Sequence, residues 1–340
     1  MNELLSHAFE RLLADCSTPE AIRQVERGGS TAELWARIDA SGYLDALVAE
    51  QAGGAGLSLA DAFPLFVAEG RHALPVPLAH TMVVRAVLAH AGIEAPAGAI
   101  AMASQTRVDA GGAVTALATP YGKIADWVAA AMPEGWLLLP TAKADVRDTG
   151  IHGSLRADLH WPAQARAGLA LHAAVAWREA GAAIAAAQLA GAMQRALEMT
   201  VTYANDRVQF GRSIGKFQAI QHQISVMAEH VVAAHMAAEI GCSGPGPLPH
   251  NLRAALAKAR ASEAATLATS TSHAVHGAIG VTAEMDLQLY TRRIHEWRAD
   301  FGSERHWNRV LGHALIASPA ASALEFMRAD LIPTTKEPAP

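Results

Sequence analysis

At 340 residues and 35.6 kDa the chain is long enough to bury a sizeable core and to divide into two or three domains, which excludes a small binding module. A formal charge of -5, a pI near 6.3 and scattered Lys and Arg leave no basic footprint for nucleic acid or for an anionic membrane surface. With 51% hydrophobic, 17% charged and 5% aromatic residues, and alanine dominant, the composition favours helices packed on small side chains and hence a mostly α fold.

The first ten residues carry acidic side chains and no long apolar run, so they predict neither a signal peptide nor an anchor. No segment reaches the ~20 uninterrupted apolar residues of a membrane span. Residues 1–99 read as an N-terminal helical domain of several short helices. Ser30 and Glu33 predict a capping box ahead of Leu34, Trp35 and Ile38, with Gly42 ending that helix. The glycine-rich stretch 50–56 lacks a preceding β-branched strand and the GxGxxG order, and reads as a tight interhelical loop.

Residues 100–171 change character. Short apolar runs at 127–130 and 135–140, bounded by Gly, Pro and Asp, predict a small β-rich domain. Residues 172–320 are helical almost throughout, broken at 241–250 by Gly-Cys-Ser-Gly-Pro-Gly-Pro-Leu-Pro-His, and predict an antiparallel four-helix bundle. Residues 321–340 form a tail whose Pro-rich end, 332–340, is expected to be disordered. Cys16 and Cys242 lie far apart without CxxC spacing, which fits a reducing cytoplasm. None of the 16 histidines falls into a metal-ligand pattern, so no metal site is expected.

The most informative stretch is 203–218, Tyr-Ala-Asn-Asp-Arg-Val-Gln-Phe-Gly-Arg-Ser-Ile-Gly-Lys-Phe-Gln. Leu189, Met193, Ala196, Leu197 and Val201 recur at helical spacing before it, Tyr203, Asp206 and Arg207 close the helix, and Gly211 and Gly215 interrupt the period until a second helix begins near Phe217. Arg207 and Arg212 therefore sit on a turn. An Arg there either answers the helix dipole or offers a rigid charged fork to a pair of phosphate oxygens.

This stretch resembles the acyl-CoA dehydrogenase signature. In that family the equivalent Arg, Phe and Gln come from one subunit and hold the pyrophosphate and adenosine half of an FAD bound mainly by its neighbour. The resemblance therefore implies FAD and an oligomer, with Arg207, Gln209, Phe210 and Gln218 as cofactor contacts. Residues 275–284 resemble the family's Gln-x-x-Gly-Gly-x-Gly turn, with Ala274 and Ala278 in place of its Gln and second Gly, and Gly277 and Gly280 retained near the cofactor. On residue types alone that glycine pair equally permits an interhelical turn, and Tyr290, Arg292 and Arg293 read as a solvated helix face. Residues 35–77 resemble the family's N-terminal domain, and residues 119–126 a segment of its reduced middle domain.

The family's chemistry is α-proton abstraction from an acyl-CoA thioester by a glutamate, with β-hydride transfer to the flavin. At the family's two positions for that base this chain carries Gly181 and Phe301. Glu179 is offset by two residues, which on a helix turns a side chain by roughly 200°, and Glu304 is the nearest candidate, or a first-turn glutamate favoured by the dipole. The Thr-Glu-Pro-x-x-Gly-Ser and Trp-x-Thr stretches that line the flavin ring are missing. The resemblance thus implies the smaller subunit of a heteromeric α2β2 enzyme, of the kind found in bacterial steroid side-chain degradation. It would work with a larger partner subunit, an acyl-CoA substrate and an electron-transfer acceptor. The alternatives are a self-sufficient homo-oligomer using Glu304, or a non-redox acyl-CoA-binding or scaffold protein.

Overall fold

The computed structural model describes residues 2–132, 135–165, 169–171 and 175–332. Five helices come first: α1 Asn2–Cys16, α2 Pro19–Glu26, α3 Ala32–Ala40, α4 Leu59–Arg71 and α5 Leu78–His90. The expected capping box at Ser30 does not form. Thr31 is the N-cap of α3 without a side-chain bond, and Ser30 Oγ instead accepts from Ala32 N at 3.2 Å. A reciprocal box closes at α4, where Ser58 and Asp61 bond each other's backbone N–H groups. The glycine-rich stretch is the expected tight turn, with Gly53 left-handed and a Cβ on Gly54 falling 2.2 Å from Val48 O.

Among the described residues eight strands follow, β1 Ile100–Ala103, β2 Thr106–Val108, β3 Val114–Thr119, β4 Trp127–Met132, β5 Gly135–Pro140, β6 Asp145–Asp148, β7 Ala157–Trp161 and β8 Leu169–Leu171. They form two four-stranded sheets, ordered β1-β4-β5-β8 and β2-β3-β7-β6. The first sheet is a middle layer. Ile100, Met102, Ala129, Trp136 and Leu138 enter the helical core, while Ala101, Val128, Ala130, Leu137 and Leu139 pack on Val114, Leu159 and Trp161 of the second sheet. Burial on both faces explains why these strands read as continuous apolar runs.

The C-terminal helices are α6 Trp177–Asp206, α7 Gln218–Gly241, α8 Asn251–His276, α9 Leu287–Ala299, α10 Glu304–Ala317 and α11 Ala323–Phe326, with a small hairpin of β9 Val208–Gln209 and β10 Arg212–Ser213 between α6 and α7. α6, α7 and α8 pack on one another, and α9 and α10 lie against this group. α6 is buried nearly all round from Ala180 to Met193, because it also carries α4 on its far side. That crossing uses reciprocal glycines: a Cβ on Gly191 would lie 1.9 Å from Val67 O, and one on Gly70 would lie 2.0 Å from Gln188 O. Only glycine lets the two backbones approach so closely.

The start of the expected tail is ordered, through α11 and a π-helical turn at Met327–Leu331, with Phe326 and Leu331 buried. The rest of the tail, residues 333–340, lies outside the described residues. Among the described residues no helix is long and apolar enough to cross a membrane.

Candidate functional site

A groove of about 660 Å³ forms where α6 ends, the β9–β10 hairpin turns and α8 stops. Arg207 is the C-cap of α6, its N–H donating to Tyr203 O at 2.9 Å. The hairpin is in register through Gln209 with Arg212 and Val208 with Ser213, and its tip residues Phe210 and Gly211 have φ of +52° and +80°. Positive φ suits Gly211; at Phe210 it is strained, and it holds out a ring that is 91% exposed. Phe217 meets that ring edge-on at 6.2 Å and carries the Arg212 guanidinium over its face at 4.2 Å.

The opposite wall is the end of α8. His276 Nδ1 donates to Ser272 O at 2.8 Å, and the ring stacks on Tyr203 with centroids 4.4 Å apart. Burial lowers the basicity of His276 and of neighbouring His273, so both favour the neutral form. Gly277, at φ +64° and ψ -147°, caps the helix in a conformation almost restricted to glycine, and a Cβ there would meet nothing within 4 Å. Its backbone is therefore open to a ligand.

The groove thus unites Arg207, Gln209, Phe210 and Gly277. Gly280 is placed differently: it is buried, and its Cβ would lie 2.9 Å from His276 Cβ, so it packs the turn. Gln218 opens α7 nearby and is exposed, but it is not part of the groove wall. The Arg207 guanidinium makes no hydrogen bond or ion pair with a described residue, which leaves its fork available. A charged fork, aromatic faces and a bare backbone suit the diphosphate and purine of a dinucleotide.

The two positions expected for a base touch each other elsewhere. A Cβ on Gly181 would fall 2.3 Å from a ring carbon of Phe301, so that ring lies directly on the Gly181 backbone. Phe301 is buried, has φ +56°, and meets His80 edge-on at 5.6 Å. Glu304 opens α10, and its Oε1 accepts from the Arg298 guanidinium. Arg298 thereby ties down Glu304, as Arg156 does Asp300, the carboxylate next to Phe301.

Around this contact lies a buried polar layer that only partly shows in the sequence. Lys258 is fully buried and donates to Ser262 Oγ, Arg298 O and Gly302 O at 2.9, 2.8 and 3.0 Å. Arg156 of β7's leading edge pairs with Asp300 at 2.7 Å. Burial pushes the Lys258 ammonium down and the Asp300 carboxyl up, while Arg156 and Lys258 restrain the latter. Glu69 is pushed up to about 8 and His80 down to about 3, both by burial. Lys258 had a visible signal: Ala254, Ala261 and Ala265, at helical spacing from it, place it in the buried stripe of α8.

Arg292 and Arg293 are not a solvated face. Both pair with Glu26 of α2, at 2.7 and 3.4 Å, and Tyr290 and Arg293 are buried. Arg292 also donates to His152 O at 3.1 Å, passing so close to Gly153 that any Cβ there would collide with its guanidinium.

Residues 173–309 match the family model for the acyl-CoA dehydrogenase C-terminal domain. Over 306 residues the chain is 32% identical to acyl-CoA dehydrogenase IpdE2 of Mycobacterium tuberculosis, covering 86% of this chain and 90% of that one. Its fold is similar to the ChsE4-ChsE5 complex from Mycobacterium tuberculosis, with a TM-score of 0.78 at 19% identity, covering 94% of this chain and 98% of the other. It is also similar to the Tcur3481-Tcur3483 steroid ACAD, with a TM-score of 0.77 at 24% identity over 94% and 99% of the two chains.

Proposed function

The chain belongs to the acyl-CoA dehydrogenase family, and from that premise we propose that it is the smaller, base-free subunit of a heteromeric enzyme. The family is FAD-dependent and oxidises a CH–CH bond. In this reading Arg207 clamps the pyrophosphate of a flavin held mainly by the larger partner, Gln209 and Phe210 flank its adenosine, and the Gly277 backbone approaches it without a Cβ in the way. The bound flavin supplies the hydride acceptor. What this chain adds is anchoring and orientation of the cofactor's nucleotide half, while the glutamate that takes the α-proton comes from the partner.

The observation that carries the proposal is the contact of Phe301 with Gly181. A phenyl ring cannot accept a proton, and here it occupies the space between the two positions from which the family draws its base. The ChsE4-ChsE5 complex and the steroid ACAD among the structural neighbours support a heteromeric assembly and a steroid side-chain CoA ester as the substrate class. An α2β2 assembly, an electron-transfer protein as acceptor and a cytoplasmic setting complete the reading. The free, buried thiols of Cys16 and Cys242 support the last of these.

Two measurements on the assembled complex test these roles. Arg207→Ala removes a charge-assisted bond of about 1.5–3 kcal/mol, so flavin retention should weaken about tenfold or more while the fold survives. Unchanged retention would leave Arg207 only its place at the end of α6. A positioned general base contributes about 10²–10⁴-fold, so if Glu304 is only a partner of Arg298, Glu304→Gln should keep turnover within a few-fold of wild type. A loss of several orders of magnitude, with flavin bound and the complex intact, would make Glu304 the base and this chain self-sufficient.

A further inference from the structure

A second cavity, of about 560 Å³, lies where α2, the loop ahead of β7 and α9 meet, and it shares no lining residue with the groove. Its size is that of a small-molecule site. Arg23, Arg27 and Arg292 line it, and Glu26 is the carboxylate of its wall. Glu26 is buried and answers two guanidiniums, Arg292 at 2.7 Å and Arg293 at 3.4 Å. Arg23 pairs with Asp286 at 2.5 Å, while the Arg27 side chain pairs with no described residue. Four guanidiniums therefore meet two carboxylates, in a chain whose overall charge is -5. His273 and His295, also in the lining, add no charge at neutral pH, because burial lowers their basicity.

Two of these cations keep open donors. Arg23 uses only Nη2, on Asp286 and on Ala283 O, so its Nη1 and Nε are uncommitted. Arg27 is exposed at the C-cap of α2 and its whole fork is uncommitted. Four residues apart, the two side chains leave α2 on one face. Arg292 is instead a fixed wall, with Nε donating to Gln288 Oε1 at 2.8 Å, Nη1 to His152 O at 3.1 Å and Nη2 to Glu26. A helix C-terminus attracts a cation, which accounts for one arginine here. Two open forks over a walled cavity exceed that need.

We infer that this cavity binds a phosphate ester of a small organic molecule, its phosphoryl group held by the Arg23 and Arg27 forks. A planar guanidinium presents paired N–H donors to two oxygens at once, and a phosphoryl group brings the double negative charge that the uncompensated cations call for. One phosphoryl group fills only part of the cavity. Val281 and Ala283, which complete the lining, offer the remainder to an apolar body. The site is separate from the Arg207 groove and does not depend on the flavin reading.

Phenyl phosphate and inorganic phosphate are the probes, titrated calorimetrically at constant ionic strength into the full chain carrying Arg207→Gln, so that the groove cannot supply the binding. Phenyl phosphate should bind saturably, one per chain, and more tightly than inorganic phosphate. Adding Arg27→Gln, which breaks no contact of the fold, should weaken that binding about tenfold or more and leave the unfolding midpoint without ligand unchanged. Arg27→Glu should abolish it. Absence of saturable binding in the Arg207→Gln background overturns the inference, as does binding that survives Arg27→Glu. Equal affinity for the two probes overturns the organic body. Loss of flavin from the assembled complex is a separate readout, and it bears on the flavin reading alone.

Discussion

Arg156→Ala should cost about 3–5 kcal/mol of unfolding free energy, the loss that follows when one member of a buried ion pair is removed and its partner stays behind. Arg156 and Asp300 are both nearly inaccessible and lie 2.7 Å apart, and Arg156 also donates to the Glu296 carbonyl. Without the guanidinium, Asp300 is a buried carboxylate facing the Glu296 charge, with only Lys258 to answer it. Replacing both members by apolar residues of similar size, Arg156→Met with Asp300→Leu, should recover most of the loss, since no charge is then stranded. Denaturant unfolding of the single and double variants checks this. A single-variant loss below about 1 kcal/mol would mean that water reaches Asp300 and that the β layer is not docked as described.

The second large effect is the pH dependence that Glu69 and His80 each add to stability, isolated by comparing a Glu69 variant with wild type. Both are buried in the core, Glu69 with a pKa near 8 against an ordinary 4.5, and His80 near 3 against an ordinary 6.5. The raised carboxyl is protonated in the fold but ionised in the unfolded chain, so stability falls as pH rises from 4.5 toward 8. The depressed imidazole is neutral in the fold but charged when unfolded, so stability falls as pH drops from 6.5 toward 3. Between 4.5 and 6.5 the two slopes oppose each other. Above 6.5 the Glu69 contribution falls by about 1.4 kcal/mol per pH unit, or about 2 kcal/mol by pH 8, and Lys258, whose ammonium burial pushes down to about 7, opposes it from pH 7 upward. Glu69→Gln should therefore gain on wild type as pH rises while leaving the His80 contribution intact. Unfolding midpoints of both proteins from pH 4 to pH 8 measure this; a difference that does not change with pH would place an ionised Glu69 in the fold.

What the sequence made legible follows from how local each feature is. The end of α6, the start of α7 after Phe217 and the break between Gly241 and Asn251 were readable because glycine and proline act on their own backbone. The two inner strands β4 and β5 were readable as apolar runs, while β2 and β6, exposed and polar, gave no comparable signal. Arg292 and Arg293 misled because adjacent charges on a helix ordinarily face water, and Glu26, which pairs with both, lies more than two hundred positions away in the chain. The Phe301–Gly181 contact is equally non-local. A resemblance between motifs identified both positions as lacking a carboxylate, but only the packing of α9's trailing loop on α6 makes the loss of one complementary to the loss of the other. Within the groove, Arg207 and Gly277 come from stretches read separately in the sequence, and the Tyr203–His276 stack joins their helices.

The central claim is that this chain serves a flavin it does not hold alone. Flavin content per chain, measured by absorbance after purification of the chain by itself and again after co-expression with its larger partner, tests that claim most directly. The expected result is a colourless or weakly flavinated chain alone and a flavinated complex. A stoichiometrically yellow homo-oligomer from the chain alone would contradict it.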